Sequence, residues 1–176
     1  RSVHIDEKEA PLTAINVGQV ATVVNSSKHV VGSAYFNPHA LLCGRLYSRD
    51  ADKAFADLLA DRITRAYEWR NKYFPDSSYR LIYGDGDGLP GLVVDRFGDH
   101  LVVQTTTCGV YNMLDQIVET LVSVVAPKGI LLRNDADIES EQLPAETRVV
   151  FGEVPELCTV VENSMAFSVP VRTGQK

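Results

Sequence analysis

The sequence predicts an α+β protein: a small β-barrel over residues 1–50, an α+β domain over residues 51–150, and a β-hairpin over residues 151–176. Three observations support this division. Short β-branched runs separated by Gly, Pro and Asn turns fill the first fifty residues, which is typical of a small barrel. Two later segments, residues 52–73 and 110–126, repeat apolar residues at helical spacing. Strand-like runs flank both segments, so the two helices are expected to pack on a mixed sheet.

The predicted barrel depends on strands that alternate with turn residues. Asn25–Lys28 supplies turn chemistry between the first two strands, and Asn37 with Pro38 ends the second. The change to helical spacing after Asp50 marks the end of the barrel. Its strands are expected over residues 19–24, 29–36 and 41–47.

The central domain is expected to open with an amphipathic helix over residues 52–73. Asp50 or Asp52 can cap its first turn, and the segment that begins at Pro75 ends it. The second helix, over residues 110–126, has the most regular apolar stripe in the chain. The other expected elements are strands over residues 79–83, 92–97, 100–104, 129–133 and 148–151, a polar loop over 134–147 and a hairpin over 159–169.

The composition is that of an ordinary folded protein, with 45% hydrophobic and 23% charged residues. No apolar run reaches the ~20 residues that span a bilayer, and no charged and apolar leader opens the chain. The three cysteines, Cys43, Cys108 and Cys158, form no CxxC pair and have no zinc-ligand spacing. We therefore expect buried, reduced thiols, a cytoplasmic location, no metal and no membrane contact.

Charge is unevenly distributed along the chain. Residues 1–50 contain five Lys/Arg and four Asp/Glu, a net charge of +1. Since the whole chain has a net charge of −6, residues 51–176 carry a net charge of −7. Binding to nucleic acid through phosphates requires local positive charge. If the chain contacts a nucleic acid, its first fifty residues are the better candidate.

The glycine-rich segment Gly84–Gly91 contains a literal G-x-G-x-x-G match. A dinucleotide site needs such a turn to open a helix, but Pro90 and the β-branched Val93 and Val94 predict a strand instead. A calcium loop is also excluded, because the position for its bidentate Glu holds Arg96 or Val94, depending on the register. The segment is therefore interpreted as a tight turn.

Other residues with chemical potential give no catalytic pattern. The four histidines share no spacing with carboxylates, so no nucleophilic triad is indicated. Tyr67 and Trp69 on the first helix are expected to pack in the core rather than to stack on bases. Asp95 and Arg96 are expected to form a surface ion pair.

Three segments together resemble one protein family. The run Gly-Asp-Gly-Asp-Gly-Leu-Pro-Gly-Leu-Val-Val-Asp-Arg-Phe-Gly over residues 84–98, preceded by Tyr79–Ile82, closely resembles the central domain of bacterial RlmI-type large-subunit ribosomal RNA cytosine-5 methyltransferases. Residues 17–45 resemble that family's PUA domain, and residues 161–176 its lead-in to the SAM domain. Asp85 stands where relatives usually have Glu.

The resemblance implies a SAM-dependent enzyme as the full-length parent. The family's PUA domain begins with a further strand and a His-Pro-Trp-like segment before Arg1, so this barrel is expected to lack its first strand. The catalytic domain is expected to lie beyond the chain, which alone should bind no cofactor and have no turnover. A Cys thiolate that attacks C6 of cytosine is implied there, and Cys43, Cys108 and Cys158 lack its context. Gln175 and Lys176 are implied near SAM.

For this chain the resemblance implies capture of structured, ribosomal RNA. The candidate contacts are Arg1, Lys28, Arg45 and Arg49, with Tyr35 as a stacking residue. The central domain is then a rigid spacer between the RNA-binding barrel and the active site. The alternatives are a stand-alone, non-catalytic RNA-binding or ribosome-associated module and a structural or homodimerising fragment. A Rossmann-type segment downstream of Lys176 would separate the enzyme from the stand-alone module.

Overall fold

The β-branched runs of the first fifty residues form an antiparallel sheet. In the computed structural model, which describes residues 2–3, 14–74, 76–135, 137–162 and 164–174, its strands are β1 (Ser2–Val3), β2 (Val20–Val24), β3 (Val30–Phe36) and β4 (Gly44–Ser48). The strand order is β1-β4-β3-β2. Strand β4 begins three residues later than predicted because the Asn37 N–H donates to the Cys43 carbonyl and closes a loop, in which Leu41 is 90% exposed.

A mixed sheet follows, as predicted from the alternation of strand and helix patterns. Its strands, in spatial order, are β5 (Ser78–Tyr83), β6 (Leu92–Phe97), β7 (His100–Thr105), β8 (Gly129–Asn134) and β9 (Glu146–Gly152). Only the β7–β8 pair is parallel. A parallel pair requires a crossover connection, and residues 106–128 supply it with two helices.

Helices α1 (Phe55–Tyr73) and α3 (Leu114–Val125) pack against each other and cover one face of this sheet. Their buried stripes explain the helical periodicity; they contain Phe55, Leu58, Leu59, Ile63 and Ala66 in α1 and Leu114, Ile117, Leu121 and Val125 in α3. The predicted cap of α1 is wrong. The N-cap residue is Ala54, without a side-chain cap, because the Asp50 carboxylate accepts from the Asp52 N–H instead.

The predicted helix over residues 110–126 is two helices. The short helix α2 (Cys108–Tyr111) precedes α3, and the Thr107 hydroxyl accepts a hydrogen bond from the Val110 N–H and so starts α2 early. Met113, at φ −104° and ψ 13°, leaves helical geometry between the two. The apolar stripe therefore predicted α3 correctly, but it did not reveal the local cap that starts a separate turn.

Strands β10 (Leu157–Glu162) and β11 (Met165–Pro170) form the predicted hairpin. The hairpin region packs on the face of the mixed sheet opposite the helices. Val102 and Leu131 join a second cluster with Val154, Cys158 and Val171, whereas their sequence neighbours on β7 and β8 belong to the helix-side core. Successive strand residues point to opposite faces, so the sheet is covered on both sides.

One buried cluster connects the first sheet with the central domain. Tyr35, Tyr47 and Phe55 belong to the same core as the residues of α1, α3 and the mixed sheet. The Tyr35 and Tyr47 rings stack at 6.2 Å between centroids, and the Phe55 ring meets Tyr47 edge-on at 5.3 Å. The α+β class, the two helices on a mixed sheet and the final hairpin are confirmed. The division into units at residues 50 and 150 stays a prediction.

Among the described residues, every helix is too short or too polar to cross a bilayer.

Candidate functional site

Two of the predicted RNA contacts are exposed cations at one end of the first sheet. Lys28 lies in the turn before β3, at φ 62°, and Arg49 directly follows β4. Because Ser33 pairs with Ser48 in antiparallel register, Arg49 follows β4 toward the end of the sheet at which β3 begins and Lys28 lies. Both side chains belong to exposed residues. Arg1, the third candidate, lies outside the described residues.

Arg45 and Tyr35 have internal partners instead. Arg45 donates through Nη1 to the Leu42 carbonyl at 3.1 Å, and its Nη2 lies 3.9 Å from the Glu141 carboxylate. Tyr35 is 2% exposed, and its hydroxyl donates to the Pro90 carbonyl. Burial raises the pKa of this hydroxyl. The structure therefore corrects the prediction for Tyr35: its ring lies in the core and is not accessible to a base.

Glu141 connects the two sheets, and sequence reasoning missed it. It is 5% exposed, although the prediction placed it in a polar loop. Its Oε2 accepts hydrogen bonds from Asn37 Nδ2 at 3.1 Å and from the Cys108 N–H at 3.2 Å. Asn37 also donates to the Ser140 carbonyl at 3.0 Å. A lone acid among other polar residues carries no periodic signal, so only the tertiary structure distinguishes it.

The three cysteines are buried thiols outside any disulfide, as predicted. Burial, reinforced by the neighbouring Glu141 carboxylate, raises the pKa of Cys108 to about 11. Burial also raises the pKa of Cys158. A nucleophilic cysteine needs the opposite, an accessible thiol with a lowered pKa. The environments of Cys108 and Cys158 therefore disfavour nucleophilic chemistry.

These environments predict slow thiol chemistry in the folded chain. At pH 8 we expect a thiol-specific reagent such as dithiobisnitrobenzoate to label the native chain at least about a hundredfold more slowly than the urea-unfolded chain, because reaction requires an exposed thiolate. All three cysteines should react in urea. Rapid labelling of one thiol per native chain, identified by peptide mass, would contradict the burial of that residue.

The glycine-rich bend is a structural turn. Residues Gly84–Asp87 form one 3-10 turn, and strand β6 follows it. Arg62 Nη1 donates to the Gly88 carbonyl at 2.6 Å, and a Cβ at Gly91 would overlap the Thr107 hydroxyl. The Arg62 side chain at Gly88 and the Thr107 side chain at Gly91 therefore fill the space that a phosphate would need beside the backbone of the bend. The bend does not fit SAM or a dinucleotide. In the described ranges no group of three His, Cys, Asp or Glu residues has metal-site geometry.

Asp95 and Arg96 do not form the predicted ion pair. They are adjacent in a strand, so their side chains point to opposite faces. Asp95, 7% exposed, accepts from Arg80 Nε across the β5–β6 pair at 2.8 Å. Arg96 donates to the Tyr79 hydroxyl at 3.0 Å and to the Gly98 carbonyl at 2.8 Å. Both residues stabilise the edge of the mixed sheet.

A groove lined by aromatic and arginine side chains lies beside the free edge of β5. It has a volume of about 640 Å³ and is bounded by the C-terminal part of α1, by β5 and by Val160 and Val161 of β10. Tyr67 is partly buried against the core, as predicted. Trp69 is not, because it is 55% exposed and lines the groove. The prediction that Trp69 packs in the core is wrong, since no helix or strand among the described residues covers that side of α1.

The chain is similar to known proteins over most of its length. Residues 2–49 match a family model described as a PUA-like domain. Over 165 residues the chain is 31% identical to ribosomal RNA large subunit methyltransferase I of Shewanella frigidimarina. It is 28% identical to the protein of the same name from Vibrio cholerae. These alignments include 90% and 91% of this chain but 42% of each relative.

Two solved structures share the fold. One is a putative SAM-dependent methyltransferase from Streptococcus mutans, with a TM-score of 0.74, 22% identity, and coverage of 89% of this chain and 41% of that one. The other is a putative methyltransferase complexed with SAH, with a TM-score of 0.75, 21% identity, and coverage of 90% and 41%. The predicted resemblance is confirmed, and the chain spans about two fifths of the length of these relatives.

Proposed function

We propose that this chain captures and positions RNA for a SAM-dependent ribosomal RNA methyltransferase. The observation that carries the proposal is the alignment with two large-subunit rRNA methyltransferases over 90% and 91% of the chain. The alignment is not limited to the PUA-like residues 2–49. It extends through the central domain, so the likeness concerns the whole arrangement of first sheet, mixed sheet and hairpin.

The described residues support a positioning role. Lys28 and Arg49 present two charges at one end of the first sheet, where phosphates can reach them. The shared core and the Glu141 hydrogen bonds hold this sheet firmly on the central domain. RNA bound at Lys28 and Arg49 would therefore stay at a fixed distance from the hairpin, the last element before Gln175 and Lys176, which lie outside the described residues.

We propose methylation at cytosine C5, in which SAM supplies the methyl group when bound. That carbon becomes reactive after a thiolate adds to C6 of the base. The buried Cys108 and Cys158, with their raised pKa values, do not suit this step, and the glycine bend does not fit SAM. We therefore propose that this chain alone has no turnover. The nucleophile and the binding site for the methyl donor would lie in the part of the relatives that this chain does not match.

An RNA-binding assay tests the positioning role. Titrated into a labelled, structured fragment of large-subunit ribosomal RNA, the chain should bind with an affinity that falls as salt rises, because phosphate contacts release counterions. In the double variant Lys28→Ala/Arg49→Ala the slope of log K against log salt should be smaller by about 2. The control is Lys128→Ala, an exposed lysine paired with Asp99. Salt-independent binding, or an unchanged slope in the double variant, would contradict the proposal.

Calorimetry tests the proposal that the SAM site lies outside this chain. SAM titrated into this chain should give no binding heat, whereas a chain extended to the length of the relatives should bind it. Tight binding of SAM to the 176-residue chain would overturn this part of the proposal. Gel filtration of the same samples tests the homodimer. We also propose a cytoplasmic location, which the odd number and wide spacing of the three cysteines favour.

A further inference from the structure

The groove beside β5 exposes an unusual number of large aromatic rings. Trp69 is 55% exposed, Tyr73 56%, Phe74 46% and Tyr83 62%. Trp69 and Phe74, which line the groove, have ring centroids 6.5 Å apart, and Tyr73, which adjoins it, lies 4.9 Å from Trp69. Tyr83 lines the groove from β5. Contiguous exposed apolar surface of this kind usually marks an interaction site. Arg70 lies over the Trp69 ring at 5.8 Å and Arg80 over the Tyr83 ring at 5.5 Å, so a planar ligand would stack on the face of each ring that points away from its guanidinium.

A second cavity extends the groove along α1. It has a volume of about 360 Å³ and shares Trp69, Arg70 and Tyr83 with the first. Both volumes lie in the range of sites for small ligands, about 300–1,000 Å³. The aromatic part and its extension therefore provide space for a nucleoside and for the groups attached to it.

The groove is positively charged in an acidic protein. Four arginines (Arg62, Arg65, Arg70 and Arg80) and two aspartates (Asp76 and Asp87) line the two cavities, whereas the whole chain has a net charge of −6. Asp87 holds Arg70 in a two-point contact, at 3.1 and 2.8 Å. Asp95 pairs with Arg80.

Counting Asp76, Asp87 and Asp95 against the four arginines leaves a net charge of +1, which Arg62 and Arg65 provide next to the aromatic rings. Burial, and then the neighbouring Arg65 charge, lower the pKa of Arg62, and the Asp61 carboxylate offsets part of this effect. An anion between the two side chains would relieve this repulsion.

The groove is not built to accept an extended peptide. Addition of a peptide strand requires free backbone groups on the edge of the sheet, and β5 is an edge strand. Here Arg70 Nε donates to the Arg80 carbonyl at 2.6 Å, and the Asp87 carboxylate accepts from the Tyr83 N–H at 2.6 Å. Side chains thus already occupy groups that an added strand would use, while the rings stay exposed.

We propose that this groove binds an unpaired nucleotide of the RNA, with its base stacked on Trp69 or Tyr83 and its phosphate between Arg62 and Arg65. The proposal rests on the proposed function and adds a second RNA contact, on the central domain. Stacking platforms next to cationic side chains are the usual way in which proteins hold single-stranded nucleic acid. The site is sequence-tolerant, because every base has a flat face.

Trp69 reports on its own site, because it is the single tryptophan of the chain. A short single-stranded oligoadenylate should quench its fluorescence in a saturable way, whereas a blunt-ended, fully paired RNA duplex of equal charge should quench it much less. Trp69→Leu should raise the dissociation constant for the oligonucleotide about tenfold, the loss of one stacked base. Trp69→Phe should restore most of the affinity, and Tyr83→Ala should weaken binding independently.

The control variant is Phe151→Leu, which removes a ring that is 37% exposed on β9, at the opposite edge of the sheet. It should leave the affinity unchanged. Urea unfolding of each variant verifies the fold, since an exposed ring at Trp69 contributes little to stability.

The outcomes separate this inference from the proposed function. If ribosomal RNA binds in a salt-dependent way but Trp69 emission and the affinity of Trp69→Leu do not change, the groove proposal fails and the proposed function stands. If neither RNA binds, the proposed function fails and the groove proposal fails with it. If emission changes with protein concentration alone, the groove is a surface between two copies of the chain, and the nucleotide proposal is overturned.

Discussion

Replacing Glu141 by Ala should destabilise the folded chain by about 3 kcal/mol. The substitution leaves Asn37 Nδ2 and the Cys108 N–H as buried donors without their acceptor, and it removes the carboxylate nearest to Arg45. Each unsatisfied buried group costs about 1–3 kcal/mol. The measurement is the urea concentration at the midpoint of unfolding, which should fall. The dependence of the free energy of unfolding on urea concentration should stay the same, because the folded state still buries the same surface.

Glu139→Ala is the matched control. Glu139 lies in the same 3-10 turn but is exposed, so its substitution should change stability by less than about 0.5 kcal/mol. Glu141→Gln should lie between the two, because the amide oxygen can still accept one of the hydrogen bonds. Equal unfolding midpoints for Glu141→Ala and Glu139→Ala would contradict the role of Glu141 as the connection between the two sheets.

Gly109→Ala should destabilise the chain by about 1–3 kcal/mol, although alanine is the better helix former. Gly109 lies in α2 and has no positive φ, so alanine meets no backbone strain there. A Cβ at this position would, however, overlap the ring of Tyr35. That ring is 2% exposed and cannot move without displacing its neighbours or the hydroxyl that donates to Pro90.

Gly86→Ala provides the comparison for Gly109→Ala. Its added Cβ would meet nothing closer than the Tyr83 ring at 3.5 Å, and its φ is not positive. Stability should stay equal or rise slightly, because alanine restricts the unfolded chain. In the background of Tyr35→Leu, Gly109→Ala should cost less than it does in the original chain, since the smaller side chain makes room for the methyl group. If Gly109→Ala is as stable as the original chain, α2 does not pack on Tyr35 as described.

The sequence predicted the parts of the fold that repeat. Alternating strand residues and the stripe from Phe55 to Ala66 show where the core lies, because burial of one face imposes a period on the chain. Glu141 and the separate helix α2 were missed, since each depends on single hydrogen bonds that leave no period. Trp69 continues the spacing of α1, and whether such a residue is covered depends on an element elsewhere in the chain.

The candidate site was harder to predict than the fold. Charge summed over residues 1–50 indicated the first sheet, and Lys28 and Arg49 are indeed exposed there. Arg45 carries the same charge but has internal partners, which a count cannot show. The groove on the central domain was not predicted either, because its arginines come from a region with net negative charge. Local charge arises from the folded arrangement.

The shared core has a consequence for how the protein forms during synthesis. Tyr35 packs on Gly109, and Asn37 is held by Glu141, which lies more than a hundred positions further along the chain. The first sheet therefore leaves the ribosome before the residues that support it have been synthesised. Elongation adds about 5–20 residues per second, which leaves this sheet waiting for several seconds. The first sheet is therefore completed only after the β8–β9 region has been synthesised, and we expect the first sheet and the mixed sheet to fold as one cooperative unit.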